Sequence, residues 1–137
     1  MPVLGLDHLN VRTPDPARTI AFFRDVLLMK VGPAPRSTSM ENGAWVFDAD
    51  DVAVVHIARV GLAYPTDEKL PFKESRGSGA LHHIALTCTA FDATLARIRS
   101  LGLECHENHM EQIKLHQIFV SDPNGILFEL NFSGDAK

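Results

Sequence analysis

A chain of 137 residues with a net charge of −4 is sized for a single compact domain. It carries no basic run and no Lys/Arg stripe interleaved with aromatics, which excludes a nucleic-acid footprint. It has no apolar stretch of membrane length. The opening Met1-Pro2-Val3-Leu4-Gly5 lacks the build of a signal peptide, and two cysteines, Cys88 and Cys105, are too few for a disulfide framework. A cytoplasmic protein with reduced thiols is expected.

Residues 5–12 alternate as a strand, with Leu6, Leu9 and Val11 among polar neighbours. Asp15 then caps a helix that has Pro16 at its first position, where the missing N–H costs nothing. The helix is expected to run to about Leu28, with Ile20, Phe23 and Leu27 on one face. A short strand at 29–33 is cut by Pro33 and Pro35. Gly43–Phe47 and Val52–Ala58 are β-rich and are joined by Asp48-Ala49-Asp50-Asp51.

Residues 59–80 hold Gly61, Pro65, Pro71, Gly77 and Gly79 among charges and read as a linker or long loop, with Phe72 as a candidate lid residue. Leu81–Thr87 is the next strand. Thr89-Ala90-Phe91-Asp92 predicts a capping-box variant ahead of a helix whose Leu95, Ile98 and Leu101 share a face. Gly102 ends that helix. Strands follow near 103–107, 113–120 and 126–132, with Asp122-Pro123-Asn124-Gly125 as the turn before the last. Residues 133–137 read as a frayed tail.

Each half thus reads strand–helix–strand–strand–strand. The segment Asp7-His8-Leu9-Asn10-Val11 resumes 75 residues on as His82-His83-Ile84-Ala85-Leu86. Each half also closes on an apolar strand bearing a metal-ligand residue, His56 in the first and Glu129 in the second. An internal repeat of this kind sets the architecture. The expectation is an α+β fold of two modules, 1–60 and 81–133, joined by a linker at 61–80 and sharing one domain.

Strand parity selects the chemistry. Ile84, Leu86 and Cys88 face one way and His83, Ala85 and Thr87 the other, so His83 rather than His82 lies on the polar face. In the first strand His8, Asn10 and Arg12 share that face; in the last, Glu129 and Asn131 do. Two sheets, each with a helix on its outer side, would enclose a groove where His8, His56, His83 and Glu129 meet. Imidazoles with one carboxylate suit Zn, Fe, Mn, Ni or Co rather than calcium or magnesium.

These residues resemble the vicinal oxygen chelate superfamily, which includes glyoxalase I, methylmalonyl-CoA epimerase, extradiol dioxygenases, and fosfomycin and bleomycin resistance proteins. The resemblance runs from Leu6 to Phe132 and rests on Asp7-His8-Leu9-Asn10-Val11, His82-His83-Ile84-Ala85-Leu86, Asp122-Pro123-Asn124-Gly125 and Glu129-Leu130-Asn131-Phe132. It implies paired βαβββ modules related by a pseudo-two-fold repeat, forming a half-open, barrel-like groove. It also implies a divalent ion that holds two neighbouring substrate oxygens.

His8, His83 and Glu129 match the family's metal positions. His56 falls on the fourth, where isomerases and epimerases more often carry Glu or Gln, so Glu129 and His56 are the expected catalytic groups. Four protein ligands would leave two positions for a chelating substrate, which favours a lyase or isomerase. Three would leave room for dioxygen as well, as in a non-haem iron extradiol dioxygenase. A metal-free sequestering protein of the resistance type is a third reading, and the ligand cluster argues against it.

Gln117, Trp45 and Arg12 are candidate substrate contacts, Arg12 for an anionic group; Gln117, Trp45 and Phe47 could equally be packing. His82 reads as capping the core face or meeting solvent, and His106 and His109 as solvated surface. The partners expected are a small-molecule substrate and a second copy of the chain, with neither nucleic acid nor membrane.

Overall fold

In the computed structural model residues 2–134 are described, so residues 135–137 of the expected tail lie outside the described residues. The chain divides into two compact units, residues 1–74 and 75–137. The division falls inside the linker expected at 61–80.

The first unit holds β1 (Leu9–Thr13), α1 (Pro16–Ala21), β2 (Lys30–Gly32), β3 (Gly43–Phe47) and β4 (Ala53–Arg59). Its sheet runs β1-β4-β3-β2, with β1 parallel to β4 and the remaining pairs antiparallel. The second unit holds β5 (Ile84–Cys88), α2 (Phe91–Ser100), β6 (Cys105–Met110), β7 (Leu115–Ser121) and β8 (Leu127–Ser133). Its sheet runs β5-β8-β7-β6, again with the first and last strands parallel. Both units are βαβββ modules, so the repeat read from the sequence is a repeat of topology.

The register repeats too. Asn10 lies opposite His56, and Ala85 lies opposite Glu129. In each module the closing-strand donor pairs with the residue two positions after the opening histidine. That histidine, His8 or His83, stands one residue ahead of its strand.

Local chemistry explains the helix starts unequally. The Asp15 carboxylate accepts from the Arg18 N–H at 3.1 Å, and Pro16 occupies the first helical position. Thr13 Oγ1 accepts from the Asp15 N–H and from the Thr19 hydroxyl, both at 3.1 Å, tying β1 to the helix it feeds. The expected cap at Thr89 does not form. Ala90 is the cap residue instead, in a left-handed conformation with φ of 60°, and no side chain caps α2. At the other end Gly102, with φ of 71°, lets the Leu103 N–H reach back to Ile98 O at 3.2 Å.

Several sequence expectations need correction. Residues 5–8 are not part of β1: pairing with β4 begins at Leu9, and Leu6 is 83% exposed. The helix expected to reach Leu28 is α-helical only to Ala21, then widens to a π-turn over Phe22–Val26. This turn closes with a bond from the Leu27 N–H to Phe22 O at 3.2 Å. The wider turn brings Phe22, Phe23 and Val26 into the core and leaves Leu27 only half-buried. Leu101 ends α2 and is exposed. The strand expected from Leu81 starts at Ile84, and β6, β7 and β8 each begin one or two residues later than the sequence suggests.

Alternation places the cores as expected. Val11, Val55 and Ile57 are buried on the helix side of the first sheet, and Ile118, Phe128, Leu130 and Phe132 on that of the second. The opposite faces therefore carry the polar side chains that β1, β4, β5 and β8 present. Gly43 is required where β3 crosses β4: its φ is +153°, and a Cβ there would stand 2.1 Å from Ile57 O.

Candidate metal site

In the first module three rings form a stack. Trp45 and His56 are register partners on β3 and β4. Their rings lie 4.0 Å apart at 3°. The other face of His56 meets His8, with centroids 3.8 Å apart and planes 20° apart. Burial first, and the neighbouring His8 second, push the His56 pKa below its ordinary value, against a smaller opposing pull from Asp7.

His8 Nδ1 is hydrogen-bonded to the Asp7 carboxylate. A carboxylate only accepts, so Nδ1 is the donor in this bond and Nε2 is the ring nitrogen left open to an ion. A carboxylate behind a histidine is the usual device for fixing the tautomer and orientation of a metal-binding imidazole.

In the second module His83 Nε2 stands 3.1 Å from Glu129 Oε2. The other carboxylate oxygen is fully occupied. Glu129 Oε1 accepts from Gln117 Nε2 and from Asn131 Nδ2, each at 2.9 Å. Gln117 Nε2 also donates to Asn131 Oδ1 at 2.9 Å, and Gln117 Oε1 accepts from Asn108 Nδ2 at 2.7 Å. Asn108, Gln117 and Asn131 are register partners across β6, β7 and β8, so the network crosses the sheet as one straight row. His83 Nδ1 meets His82 Nδ1 at 2.8 Å, so His82, which is exposed, touches the pair.

Among the described residues no group of three or more His, Cys, Asp or Glu side chains is set up as a metal site. The four sequence candidates lie in two pairs, one in each module, and the pairs differ in their fit to an ion. The His83–Glu129 spacing matches two donors each about 2.1 Å from a common ion at a near-right angle. His8, backed by Asp7, fits as a single nitrogen donor. His56 does not fit beside it. A lone pair lies in the plane of its ring, and the two stacked rings hold their lone pairs in separate, near-parallel planes that do not meet at one ion.

The substrate candidates separate as well. Trp45 is packed flat on His56. Gln117 is only 5% exposed, and its contacts with Glu129, Asn131 and Asn108 lie within the protein. Arg12 borders a cavity of about 520 Å³ in the first module, which it lines with Asn10, Tyr64, Thr66, Phe72 and Lys73 among others. Its guanidinium lies 4.7 Å from the Tyr64 ring centroid and, among the described residues, makes only long hydrogen bonds, 3.4 and 3.5 Å, to Arg59 O and Leu62 O. Asn10 and Arg12 share strand parity with His8, so the cavity lies along the face that carries the histidine stack.

His106 and His109 are exposed, as expected, but not structureless. Both lie on β6, and His109 pairs with His116 across to β7 at 2.7 Å. Sequence reasoning gave no role to Asn108, Asn131, His82 or Asp7. Asn131 alone had a usable signal, two residues from Glu129 on the same strand face.

The sequence pattern of the Glyoxalase/Bleomycin resistance protein/Dioxygenase superfamily matches residues 5–130. No curated protein gives a significant match. Among solved structures the chain is similar to an integron cassette protein from Vibrio cholerae, at 16% identity and a TM-score of 0.70, covering 98% of each chain. It is also similar to a point mutant of the fosfomycin resistance protein FosX from Listeria monocytogenes, solved with Mn(II) and 1S,2S-dihydroxypropylphosphonic acid. There identity is 19% and the TM-score 0.68, over 97% of this chain and 95% of that one. Lactoylglutathione lyase from Agrobacterium tumefaciens matches at 13% identity and a TM-score of 0.66, over 96% of each chain. With 126 consecutive residues matched and the duplicated βαβββ topology in place, the chain belongs to the glyoxalase/bleomycin resistance protein/dioxygenase superfamily.

Proposed function

We propose that this protein is a metal-dependent enzyme of the glyoxalase-like type, a lyase or isomerase acting on a small substrate with two neighbouring oxygens. The observation that carries the reading is the pair of prepared donors. His8 has Asp7 behind it, and Glu129 has one oxygen held by two amides and the other beside His83. Polar partners of this kind orient ligands and raise their affinity for an ion. The ligands proposed are His8, His83 and Glu129, with a divalent ion of the Zn, Fe, Mn, Ni or Co group supplying charge stabilisation to substrate oxygens. The active unit proposed is a cytoplasmic homodimer.

His56, expected from the sequence as a fourth ligand, is assigned the proton-carrying role. Its ring is pinned between Trp45 and His8, and its lowered pKa keeps it neutral near pH 7. A neutral imidazole beside the site is the base that abstraction of a proton next to a carbonyl requires. Arg12 and Lys73 line a cavity suited to an anionic part of the substrate.

The same stack favours one second reading. With His56 outside the coordination sphere, three ion positions stay open, enough for a bidentate catechol and dioxygen. Turnover of a methylglyoxal–glutathione hemithioacetal and of hydroxyketones, against oxygen uptake with catechols, separates the two. Metal-dependent proton transfer without oxygen uptake is expected. Metal-dependent oxygen consumption would establish the dioxygenase instead, and no metal-dependent turnover on any of these would overturn both.

A further inference from the structure

We infer that Gln117 and Asn131 are positioning residues that hold Glu129 as a one-oxygen metal ligand. The inference rests on the metal-site reading above and deepens it.

The two carboxylate oxygens of Glu129 have different surroundings. Oε1 receives two amide N–H groups at 2.9 Å each, and Oε2 has His83 Nε2 at 3.1 Å. The Glu129 side chain is 13% exposed, so these contacts are largely shielded from water. Gln117, Asn131 and Glu129 close a ring of three hydrogen bonds, and Asn108 closes the row by donating to Gln117 Oε1.

The direction of every bond in this row is fixed from its carboxylate end. An ionised carboxylate accepts only, so both Gln117 and Asn131 must turn their NH2 groups toward Oε1. Gln117 then spends both N–H bonds, one on Glu129 and one on Asn131, and its oxygen is left for Asn108. No alternative flip of the three amides preserves all four bonds. Among the described residues no buried side-chain nitrogen or oxygen lacks a partner, those of this row included.

One consequence follows for Glu129. With Oε1 held from the side of Gln117 and Asn131, only Oε2 is presented to an ion beside His83. A carboxylate so held offers one oriented oxygen to an ion, and its ring of bonds fixes the rotamer that aims that oxygen at His83.

Metal affinity of the purified protein, by calorimetric titration with Zn(II) or Ni(II), tests the assignment. Gln117→Ala and Asn131→Ala are expected to bind about 10–100-fold more weakly than wild type, the usual cost of losing such a partner. Asn108→Ala, one bond removed from Glu129, is expected to lose less. Ile118→Val serves as control: it trims the core on the opposite face of β7 and should lower stability to urea without moving affinity. If affinity follows folding stability across all four variants, or if both amide variants bind as wild type does, the assignment is overturned. Absence of binding in wild type would instead overturn the metal-site reading itself, and the assignment with it.

Discussion

His8 and His56 stack face to face, with ring centroids 3.8 Å apart and planes inclined by 20°. Two imidazoles in this relation cannot both turn an in-plane lone pair onto one ion, and Trp45 on the far side of His56 holds that ring where it is. The different roles proposed for the two histidines, His8 as ligand and His56 as proton carrier, rest on this stack.

His56→Ala is expected to keep its metal and to lose about 10²–10⁴-fold in kcat, the span of a positioned general base. Trp45→Ala should lower kcat less, since it removes the support and leaves the imidazole. Metal content measured beside steady-state kinetics checks both. Full activity in His56→Ala would remove the imidazole from the reaction.

Arg12→Ala is expected to raise KM about tenfold or more for a substrate with an anionic group, with a smaller change in kcat. That is the cost of a charge-assisted hydrogen bond in a partly enclosed site. Arg12→Lys should not restore binding fully, because the guanidinium lies over the Tyr64 ring as a flat group. An unchanged KM in Arg12→Ala would place the anion elsewhere.

How much of this was legible beforehand differs from feature to feature. The repeat and the two βαβββ modules were legible from matching motifs at a fixed offset, and the buried faces of β4 and β8 from period-two alternation, which a sequence carries openly. The π-turn after Ala21 did not show, because Phe22, Phe23, Val26 and Leu27 satisfy an α-helical stripe almost as well. Ala90 in a left-handed cap was hidden because Thr89 and Asp92 mimic a capping box. At the site, residue types suggested candidate donors but not ring orientation. Nothing in the spacing of His8, His56 and Trp45 reveals a stack. Gln117 was legible as polar on an apolar strand; its partner Asn108 was not, because cross-strand register is set by the turn between β6 and β7.

Asp122 supplies a pH dependence. Burial pushes its carboxyl above the ordinary value, against bonds from Asn124 and the Ile126 N–H. An acid with a raised folded pKa binds its proton more readily folded than unfolded. Its contribution to stability therefore grows as pH falls through the folded value and is complete below the unfolded value of 3.8. Wild type is expected to gain stability relative to Asp122→Asn as pH is lowered from neutrality toward 3.8, followed by urea unfolding. A constant difference, or the reverse trend, would contradict this.

Gly43→Ala is expected to cost about 3 kcal/mol or more in urea unfolding, since its Cβ would overlap Ile57 O in a left-handed backbone. A variant as stable as wild type would show that β3 and β4 separate at that crossing without penalty.

Metal content of the purified wild type beside His56→Ala and Glu129→Ala, by elemental analysis, tests the site most directly. Retention in wild type and His56→Ala with loss in Glu129→Ala is the expected result. Loss in His56→Ala, or undiminished metal in Glu129→Ala, would contradict a three-ligand centre built on His8, His83 and Glu129.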